Sequence, residues 1–394
     1  MHHINLEKTI YILLLLICIT AGWQSCTKSY SPRIVAGNLN YLVVEGFINT
    51  GIDSTIINLS RTVKVNTGID TSEETGAILN VEGNDNSSYP IPELGKGKYA
   101  AASLSLDNSK KYRLRIKTTD GNSYLSDFTS AKPTPPIDSI GYTILSNGIQ
   151  VYVNTHDPDN KTLYYRWAYN ETWEFHAFYP SFYYSDGNAI QLRPPDLINF
   201  YCFTNKASTS ITLGSSAKLK QDIIYRQPII FIPASSEKIE SRYSILLKQY
   251  AMTDDEFNYW QSLQKNTEKI GSIFDSQPSE IQGNIHCTSN PSVPVVGYIG
   301  TTNMQSKRVF IAKTDLPTKW VATYPYTCPL DSFFYCRPPY CINDVAAHLI
   351  PQPSEEVPTT AIFGSDGLPV GFLGSFNTCV DCTIRGTKQK PSFW

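Results

Sequence analysis

The residues whose chemistry is easiest to interpret are the nine cysteines. Cys26 follows a short apolar run, residues 10–21, and is preceded directly by a small residue, Ser25. The run is too short to span a bilayer but suits a secretory signal, and a small residue before the cysteine suits a lipoprotein signal peptidase. We therefore predict a signal peptide over residues 1–25, lipidation of Cys26 and a lipid-anchored tether over residues 26–39. The alternative is an ordinary cleaved signal in which Cys26 carries no lipid.

Cys18 would leave with the signal peptide, so seven further cysteines remain, among them Cys202 and Cys287. The other five crowd into the C-terminal part of the chain, and clustered cysteines in an exported protein predict disulfide bonds. These disulfide candidates are Cys328, Cys336, Cys341, Cys379 and Cys382. The odd total implies one free thiol, and the spacing does not fix the connectivity. A zinc site built from the last four thiolates is an alternative, but the prediction is that no metal is bound.

Other chemistry-bearing motifs are sparse. The histidines beyond the signal segment, which form no close metal-binding pair, are His156, His176, His286 and His348. There is no Gly-x-Ser-x-Gly elbow and no glycine-rich phosphate loop. We therefore predict a protein that is not an enzyme and carries no cofactor. A hydrolase that uses two carboxylates from distant strands is the alternative, because spacing alone cannot reveal such a pair.

The composition indicates an extracytoplasmic β-protein. The chain has 33 basic and 35 acidic residues, a net charge of −2, which argues against a nucleic-acid partner. Charged residues make up only 17% of the chain, while tyrosine occurs 25 times. Aromatic and β-branched residues favour pleated, half-buried surfaces.

Strand patterns divide the mature chain into two β-rich domains. Residues 40–131 predict an immunoglobulin- or fibronectin-like β-sandwich, in which Leu106 and Tyr112 have the spacing of a tyrosine corner. A proline-rich linker, residues 132–136, leads into a second sandwich-like domain over residues 137–325. A capping box at Thr253 and Glu256 predicts a helical insertion near residues 253–268. Residues 326–394 form a cysteine-rich C-terminal segment expected to pack on the second domain.

Three surface features are candidates for binding. The first is an aromatic-rich segment whose candidate interaction residues are Tyr165, Trp167, Tyr169, Trp173, Phe178, Tyr179 and Tyr183, although burial in a core explains them equally well. The second is a basic stripe on one face of a strand, Lys111, Arg113, Arg115 and Lys117, more often a solvated face than a site. The third is the oxygen-rich segment over residues 157–160, which reads better as a hairpin turn than as a calcium loop.

Several short segments together resemble the domain of unknown function 4249 family, lipoproteins of the Bacteroidota. The segments are Val43-Val44-Glu45-Gly46, Leu59-Ser60-Arg61-Thr62, Tyr164-Tyr165-Arg166-Trp167, Glu171-Thr172-Trp173, Cys379-Val380-Asp381-Cys382, Gly386 and Lys390-Pro391-Ser392-Phe393-Trp394. The resemblance covers essentially the whole mature chain, and the C-terminal Phe-Trp after a Cys-x-x-Cys is its most specific part. It implies an outer-membrane lipoprotein, without assigned activity, encoded near TonB-dependent transporters.

The expected function is therefore that of a non-enzymatic outer-membrane lipoprotein, an accessory or ligand-delivery partner of a TonB-dependent barrel. It would be lipid-anchored on the periplasmic face or at the cell surface, with a glycan or other small molecule as a possible ligand. The alternative is a cell-surface adhesin or glycan-binding module, and an extracytoplasmic hydrolase is a further one.

Overall fold

The computed structural model describes residues 40–63, 72–268, 281–324, 326–336 and 339–394. Within them the chain is mainly β-structure, which confirms the predicted fold class. The predicted signal peptide, Cys26 and the tether lie outside the described residues. No helix among the described residues is long and apolar enough to cross a bilayer.

Residues 40–131 form a β-sandwich because apolar residues alternate along its strands and face one core. Tyr112, Leu114 and Ile116 show this alternation, and each is 1% exposed or less. Its strands are β1 (Leu42–Asn49), β2 (Thr55–Arg61), β3 (Ser72–Glu73), β4 (Ile78–Gly83), β5 (Ser88–Ile91), β6 (Glu93–Gly95), β7 (Lys98–Ala101), β8 (Lys111–Lys117), β9 (Ser123–Ser126) and β10 (Thr129–Ser130). One sheet has the order β1-β2-β7-β6 and the other the order β9-β8-β4-β5, with β3 beside β2 and β10 beside β8.

The predicted tyrosine corner is present at the start of β8. The hydroxyl of Tyr112 donates to the carbonyl of Asp107 at 3.1 Å and accepts from the backbone N–H of the same residue at 2.8 Å. Leu106, beside this turn, is buried. The corner therefore fixes the turn that leads into a central strand.

Tyr112→Phe is expected to lower the free energy of unfolding by about 1 kcal/mol, because it removes both hydrogen bonds at a turn that water can partly rehydrate. Urea unfolding would measure the change. Tyr89→Phe is the matched control: its ring packs on the same core, but its hydroxyl makes no hydrogen bond to the described residues. Equal losses in the two variants would contradict a stabilising role for the corner.

Three strands from much later in the chain complete this sandwich. They are β20 (Ile285–Cys287), β21 (Val295–Val296) and β22 (Thr301–Thr302). β20 pairs antiparallel with β9, while β21 and β22 pair parallel with β1. Ile285, Cys287 and Ile299 enter the sandwich core. Residues 285–302, which the sequence pattern assigned to the second domain, therefore belong structurally to the first sandwich.

The linker over residues 132–136 is held against this returning segment and the second domain. Thr134 is 4% exposed, and its hydroxyl lies 2.9 Å from Thr302 Oγ1 and accepts from the N–H of Ala251 at 2.9 Å. The backbone N–H of Lys132 donates to the Thr301 carbonyl. These bonds fix the junction, and residues Tyr41–Trp394 form one compact unit.

The second domain packs two sheets around one core. Its strands are β11 (Ile137–Leu145), β12 (Gly148–His156), β13 (Tyr164–His176), β14 (Tyr183–Ser185), β15 (Ile190–Leu192), β16 (Tyr201–Ala207), β17 (Thr212–Ser215), β18 (Ile223–Pro233), β19 (Arg242–Ala251) and β23 (Gln305–Ala312). The smaller sheet has the order β11-β12-β18 and the larger the order β16-β13-β19-β23, with β17 also beside β13. β14 and β15 form a separate hairpin. Helix α1 (Asp254–Glu268) follows β19 at the predicted position.

The outer face of the larger sheet is covered at its two ends by different parts of the chain. At one end lie α1 and the first sandwich. At the other, Trp394 packs on Phe203 and Phe310, with ring centroids 5.3 and 5.7 Å away, and Arg242 lies over the rings of Phe310 and Trp394 at 4.4 and 5.2 Å. The segment ending in Phe-Trp therefore has a packing role on this sheet.

The C-terminal segment builds a small third sheet with its own core. Its elements are β24 (Asp331–Phe334), β25 (Glu356–Phe363), β26 (Pro369–Phe376) and the short helix α2 (Asn377–Val380). The strand order is β24-β26-β25. β14 packs against this sheet through Tyr183, whose ring lies 5.0 Å from that of Phe372.

Candidate functional site

Four of the predicted aromatic interaction residues belong to the core of the second domain. Tyr165 and Trp167 are 0% and 1% exposed, and Tyr169 and Trp173 are 7% exposed. All four lie on the face of β13 that packs on the smaller sheet, because side chains two residues apart share one face of a strand. The prediction of an interaction surface is therefore wrong for these four, and their alternative interpretation as core residues is correct.

The other three aromatic candidates lie after β13, near the C-terminal segment. Phe178 is 41% exposed, whereas Tyr179 and Tyr183 are half-buried. The Tyr179 hydroxyl donates to the carbonyl of Cys328 at 3.2 Å. Phe178 packs edge-on against Tyr179, with ring centroids 4.8 Å apart. Only Phe178 of the seven is well exposed, so the seven do not form a common surface.

The opposite face of β13 carries the feature with the clearest binding geometry. Arg166 lies directly across from Tyr250 on β19. Its guanidinium is 4.5 Å from the centre of the Tyr250 ring and 4.4 Å from that of Trp260 on α1. A guanidinium between two aromatic faces is held in one plane, and its planar N–H groups are oriented for a partner.

Arg166 lines a cleft of about 440 Å³ between the first sandwich, α1 and the larger sheet. We call this the Arg166 cleft. Its walls are mostly apolar or aromatic. Apart from Arg166 and the aromatic residues, the polar side chains in the lining are those of Glu45 and Asn58. The lining residues are Val43, Val44, Glu45, Gly46, Phe47, Ile56, Asn58, Arg166, Tyr250, Tyr259, Trp260, Leu263, Val296, Gly297 and Tyr298. Its size and its few polar groups are typical of a small-molecule site.

Within the described residues, Arg166 makes no hydrogen bond, and no carboxylate lies within ion-pairing distance of it. Its Nε is fully buried and without a hydrogen-bond partner. Burial lowers the pKa of the guanidinium, although an arginine remains charged near neutral pH. A buried donor without a partner costs free energy. A hydrogen bond from a ligand acceptor to this donor would therefore contribute more to binding than the same bond at the surface.

Glu256 is a buried carboxyl whose charge interacts with that of Arg166. It is 6% exposed, and its backbone N–H donates to the Thr253 hydroxyl, the predicted helix cap. Burial raises the pKa of Glu256 to about 7, against the opposing effects of the Arg166 charge and the Trp260 indole. A side chain at Gly300 would collide with this carboxyl group, so the glycine makes room for it.

A separate buried ion pair, Glu171 with Lys238, lies in the core of the second domain. Glu171 is 2% exposed and lies 2.7 Å from Lys238 Nζ. The hydroxyl of Tyr243 donates to the same carboxylate at 2.9 Å. The Lys238 ammonium also lies 5.2 Å from the centre of the Trp173 ring. All the charged groups of this cluster therefore have partners within it.

His176 is the histidine with the most polar surroundings. Its Nε2 lies 3.2 Å from Glu240 Oε1, and its Nδ1 lies 2.6 Å from the carbonyl of Ala177. Tyr324 donates to the same Glu240 oxygen at 2.5 Å. The Glu240 carboxylate raises the pKa of His176. Both ring nitrogens are engaged within the protein, and the cluster joins β13 to Glu240 and Tyr324 of the same domain.

The five predicted disulfide cysteines are all bonded. Cys336 pairs with Cys341, Cys328 with Cys379, and Cys382 with Cys202 of β16. Cys287 is the free and buried thiol that the odd total implies. This pairing rules out the alternative four-thiolate zinc site, because its four sulfurs are divided among three disulfides. The residues that the structure describes contain no other cluster of potential metal ligands.

The basic stripe and the oxygen-rich turn are both engaged with neighbouring groups. Arg113 and Arg115 form ion pairs with Glu82 on β4, which reduces the positive charge of the stripe. The carboxylate of Asp157 accepts the backbone N–H groups of Asp159, Lys161 and Thr162. That segment is therefore a tight turn and not a calcium loop, but the prediction of a hairpin is wrong, because the turn joins β12 of the smaller sheet to β13 of the larger one.

The family comparison covers every residue that lines the Arg166 cleft. Residues 27–308 match the family described as "Domain of unknown function (DUF4249)". No curated protein matches the chain. The matched range includes the first sandwich, β13, β19, α1 and the strands that return to the sandwich. Because this match spans well over half of the sequence, the chain belongs to the DUF4249 family.

Proposed function

We propose that this protein is a non-enzymatic, lipid-anchored outer-membrane protein of the Bacteroidota. In this proposal it is an accessory or ligand-delivery partner of a TonB-dependent transporter. The observation that carries the ligand-binding part is the Arg166 cleft, which is preformed, mostly apolar and contains one cation without a partner. Its lining, as far as the structure describes it, includes no histidine, cysteine, serine or lysine. Such a lining suits recognition of a small molecule better than acyl transfer through a serine or cysteine nucleophile.

The membrane part of the proposal is supported by the sequence around Cys26 and by the family resemblance. A lipid on Cys26 would place the folded body beside an outer-membrane barrel without requiring a membrane-spanning helix. A ligand held in the cleft could then be transferred to the barrel at short range. The tether over residues 26–39 would set the distance over which this transfer occurs.

Affinity purification of the tagged full-length protein from detergent-solubilised outer membranes would test the transporter role. We expect a barrel transporter in stoichiometric amount with the wild-type protein. The Cys26→Ala variant, expressed at the same level, is expected to lose both the membrane association and the barrel. A lipoprotein that is membrane-bound but repeatedly purifies without a barrel would argue against the transporter role.

A glycan-binding module is the second candidate. Tyr225 and Tyr340 are 75% and 83% exposed, and exposed flat rings are suited to stacking on sugars. Purified protein that binds a polysaccharide in the absence of any partner would favour this function. If Tyr225→Ala and Tyr340→Ala left such binding unchanged, these rings would not be the glycan site.

A further inference from the structure

We infer that the Arg166 cleft binds a small, largely apolar molecule through a single carboxylate group. This inference rests on the proposed ligand-delivery function and specifies the chemical class of its ligand. It concerns one site and one orientation, with the carboxylate on Arg166 and the apolar body along β1 and α1.

The first support is that the Arg166 guanidinium has a fixed plane and no hydrogen-bond partner among the described residues. Tyr250 and Trp260 fix its plane from two sides, and none of its N–H groups is used within the described part of the chain. Arginine pairs with a carboxylate through two parallel hydrogen bonds, and fixing the plane in advance reduces the entropy lost on binding. The geometry therefore favours a planar anion.

The second support is a comparison with another arginine on the same face of the sheet. Arg242 also lies between two rings, those of Phe310 and Trp394. Its neighbour across the strand pair is Glu174, so an acidic group lies opposite it. At Arg166 the corresponding neighbour is Tyr250, and a cleft opens beside the guanidinium. The two sites share the aromatic packing and differ in the open space that a ligand could occupy.

The third support comes from the walls of the cleft, which limit the ligand's charge and character. Val43, Ile56, Leu263 and Val296 offer apolar contact, and Ile56 and Val296 are 39% and 42% exposed at the mouth. Burying this apolar surface under a ligand would contribute favourably to binding. Arg166 is the only basic residue in the lining that the structure describes. One cation beside the carboxyls of Glu45 and Glu256 suits a monoanion better than a doubly charged phosphate.

Glu256 would make binding depend on pH. Its pKa is about 7, so it is mostly neutral below that pH and mostly negative above it. The groups around it are Arg166, the Trp260 indole, Tyr298 and the exposed Asp255 on its own helix, with Tyr250, Tyr259 and Glu45 further along the cleft. Burial raises the pKa of all three tyrosines, that of Tyr298 to about 12, so they stay neutral. A bound carboxylate is therefore expected to be held more tightly below pH 7 than above it, and Glu256→Gln should remove this difference.

The test uses the indole ¹⁵N–¹H signal of Trp260 as a local reporter. The probes are 2-naphthoate and decanoate, each compared with its uncharged amide. We expect both acids to shift the Trp260 signal, which Trp260→Phe would identify among the six tryptophans of the chain. The amides should bind about tenfold more weakly or not at all, since one charged hydrogen-bonded pair contributes about 1.5–3 kcal/mol. Arg166→Lys should weaken acid binding at least as much, whereas the matched Arg242→Lys should leave it unchanged.

Three results would overturn the inference: no shift of the Trp260 signal with either acid at millimolar concentration, equal binding of acids and amides, or unchanged acid binding in a folded Arg166→Lys variant. If that variant does not fold, the ratio of the affinities of the acid and the amide for the wild-type protein still tests the inference. Acids that fail to bind while a barrel co-purifies would reject the ligand class and leave the accessory role standing. If the acids bind but no barrel co-purifies with the lipoprotein, the ligand class would be supported and the accessory role would be rejected.

Discussion

Lys238→Met is expected to lower the free energy of unfolding by about 3–5 kcal/mol, because it leaves a buried carboxylate without its countercharge. Glu171 is 2% exposed, and after the substitution only the Tyr243 hydroxyl would bond to it.

The paired variant Glu171→Leu/Lys238→Met tests this explanation. Removing both charges avoids the unpaired carboxylate, so the double variant should be more stable than Lys238→Met alone. Lys161→Met is a suitable control, because this lysine is 77% exposed and pairs only with the exposed Asp159; we expect a loss below about 0.5 kcal/mol. Urea unfolding would measure all of these changes. A double variant less stable than Lys238→Met would show that packing, and not charge, dominates.

Removing the Cys202–Cys382 disulfide is expected to cost about 2–5 kcal/mol, because it closes a long loop and so limits the freedom of the unfolded chain. The two cysteines are separated by 180 residues in the sequence, and both are fully buried. The Cys202→Ala/Cys382→Ala variant also loses the covalent link between β16 and the segment that carries Phe393 and Trp394. We expect lower stability in urea and faster proteolysis after residue 382.

Cys336→Ala/Cys341→Ala is the matched control for this prediction. These cysteines are only five residues apart, and closing so short a loop restricts the unfolded chain much less. Its loss of stability should therefore be smaller, by about 2–3 kcal/mol on the same loop-entropy argument. Equal midpoints of urea unfolding for the two variants would show that loop length does not determine the contribution of the longer disulfide.

Local patterns in the sequence predicted those parts of the fold that depend on neighbouring residues. Alternation identified β8, and the spacing of Leu106 and Tyr112 identified the corner that precedes it. The cap at Thr253 located α1, and the cysteine cluster indicated disulfides. Each of these signals is local: a strand period, a turn, a helix start or a cluster of one residue type. The pairing of Cys382 with Cys202 could not be predicted, because it depends on where distant strands meet.

The candidate site was missed for the same physical reason. The aromatic residues of β13 drew attention, but their alternation placed most of them in the core, where large rings contribute the most burial. Arg166 stands between two of these rings in the sequence and on the other face of the strand in the structure. A charged residue inside an aromatic strand was the available signal. Its partners Tyr250 and Trp260 lie more than 80 positions away, so sequence spacing could not assemble the cleft.

The return of residues 285–302 to the first sandwich has a consequence for the order in which the chain folds. Until those residues are available, β1 and β9 have unpaired edges, and open strand edges are sites of intermolecular pairing and aggregation. Contacts between residues so far apart in sequence also form slowly. The first sandwich is therefore expected to depend on chaperone protection until the roughly 150 residues that separate it from the returning strands have been synthesised. A fragment ending at residue 131 should aggregate in solution, although its sequence has the pattern of a complete domain.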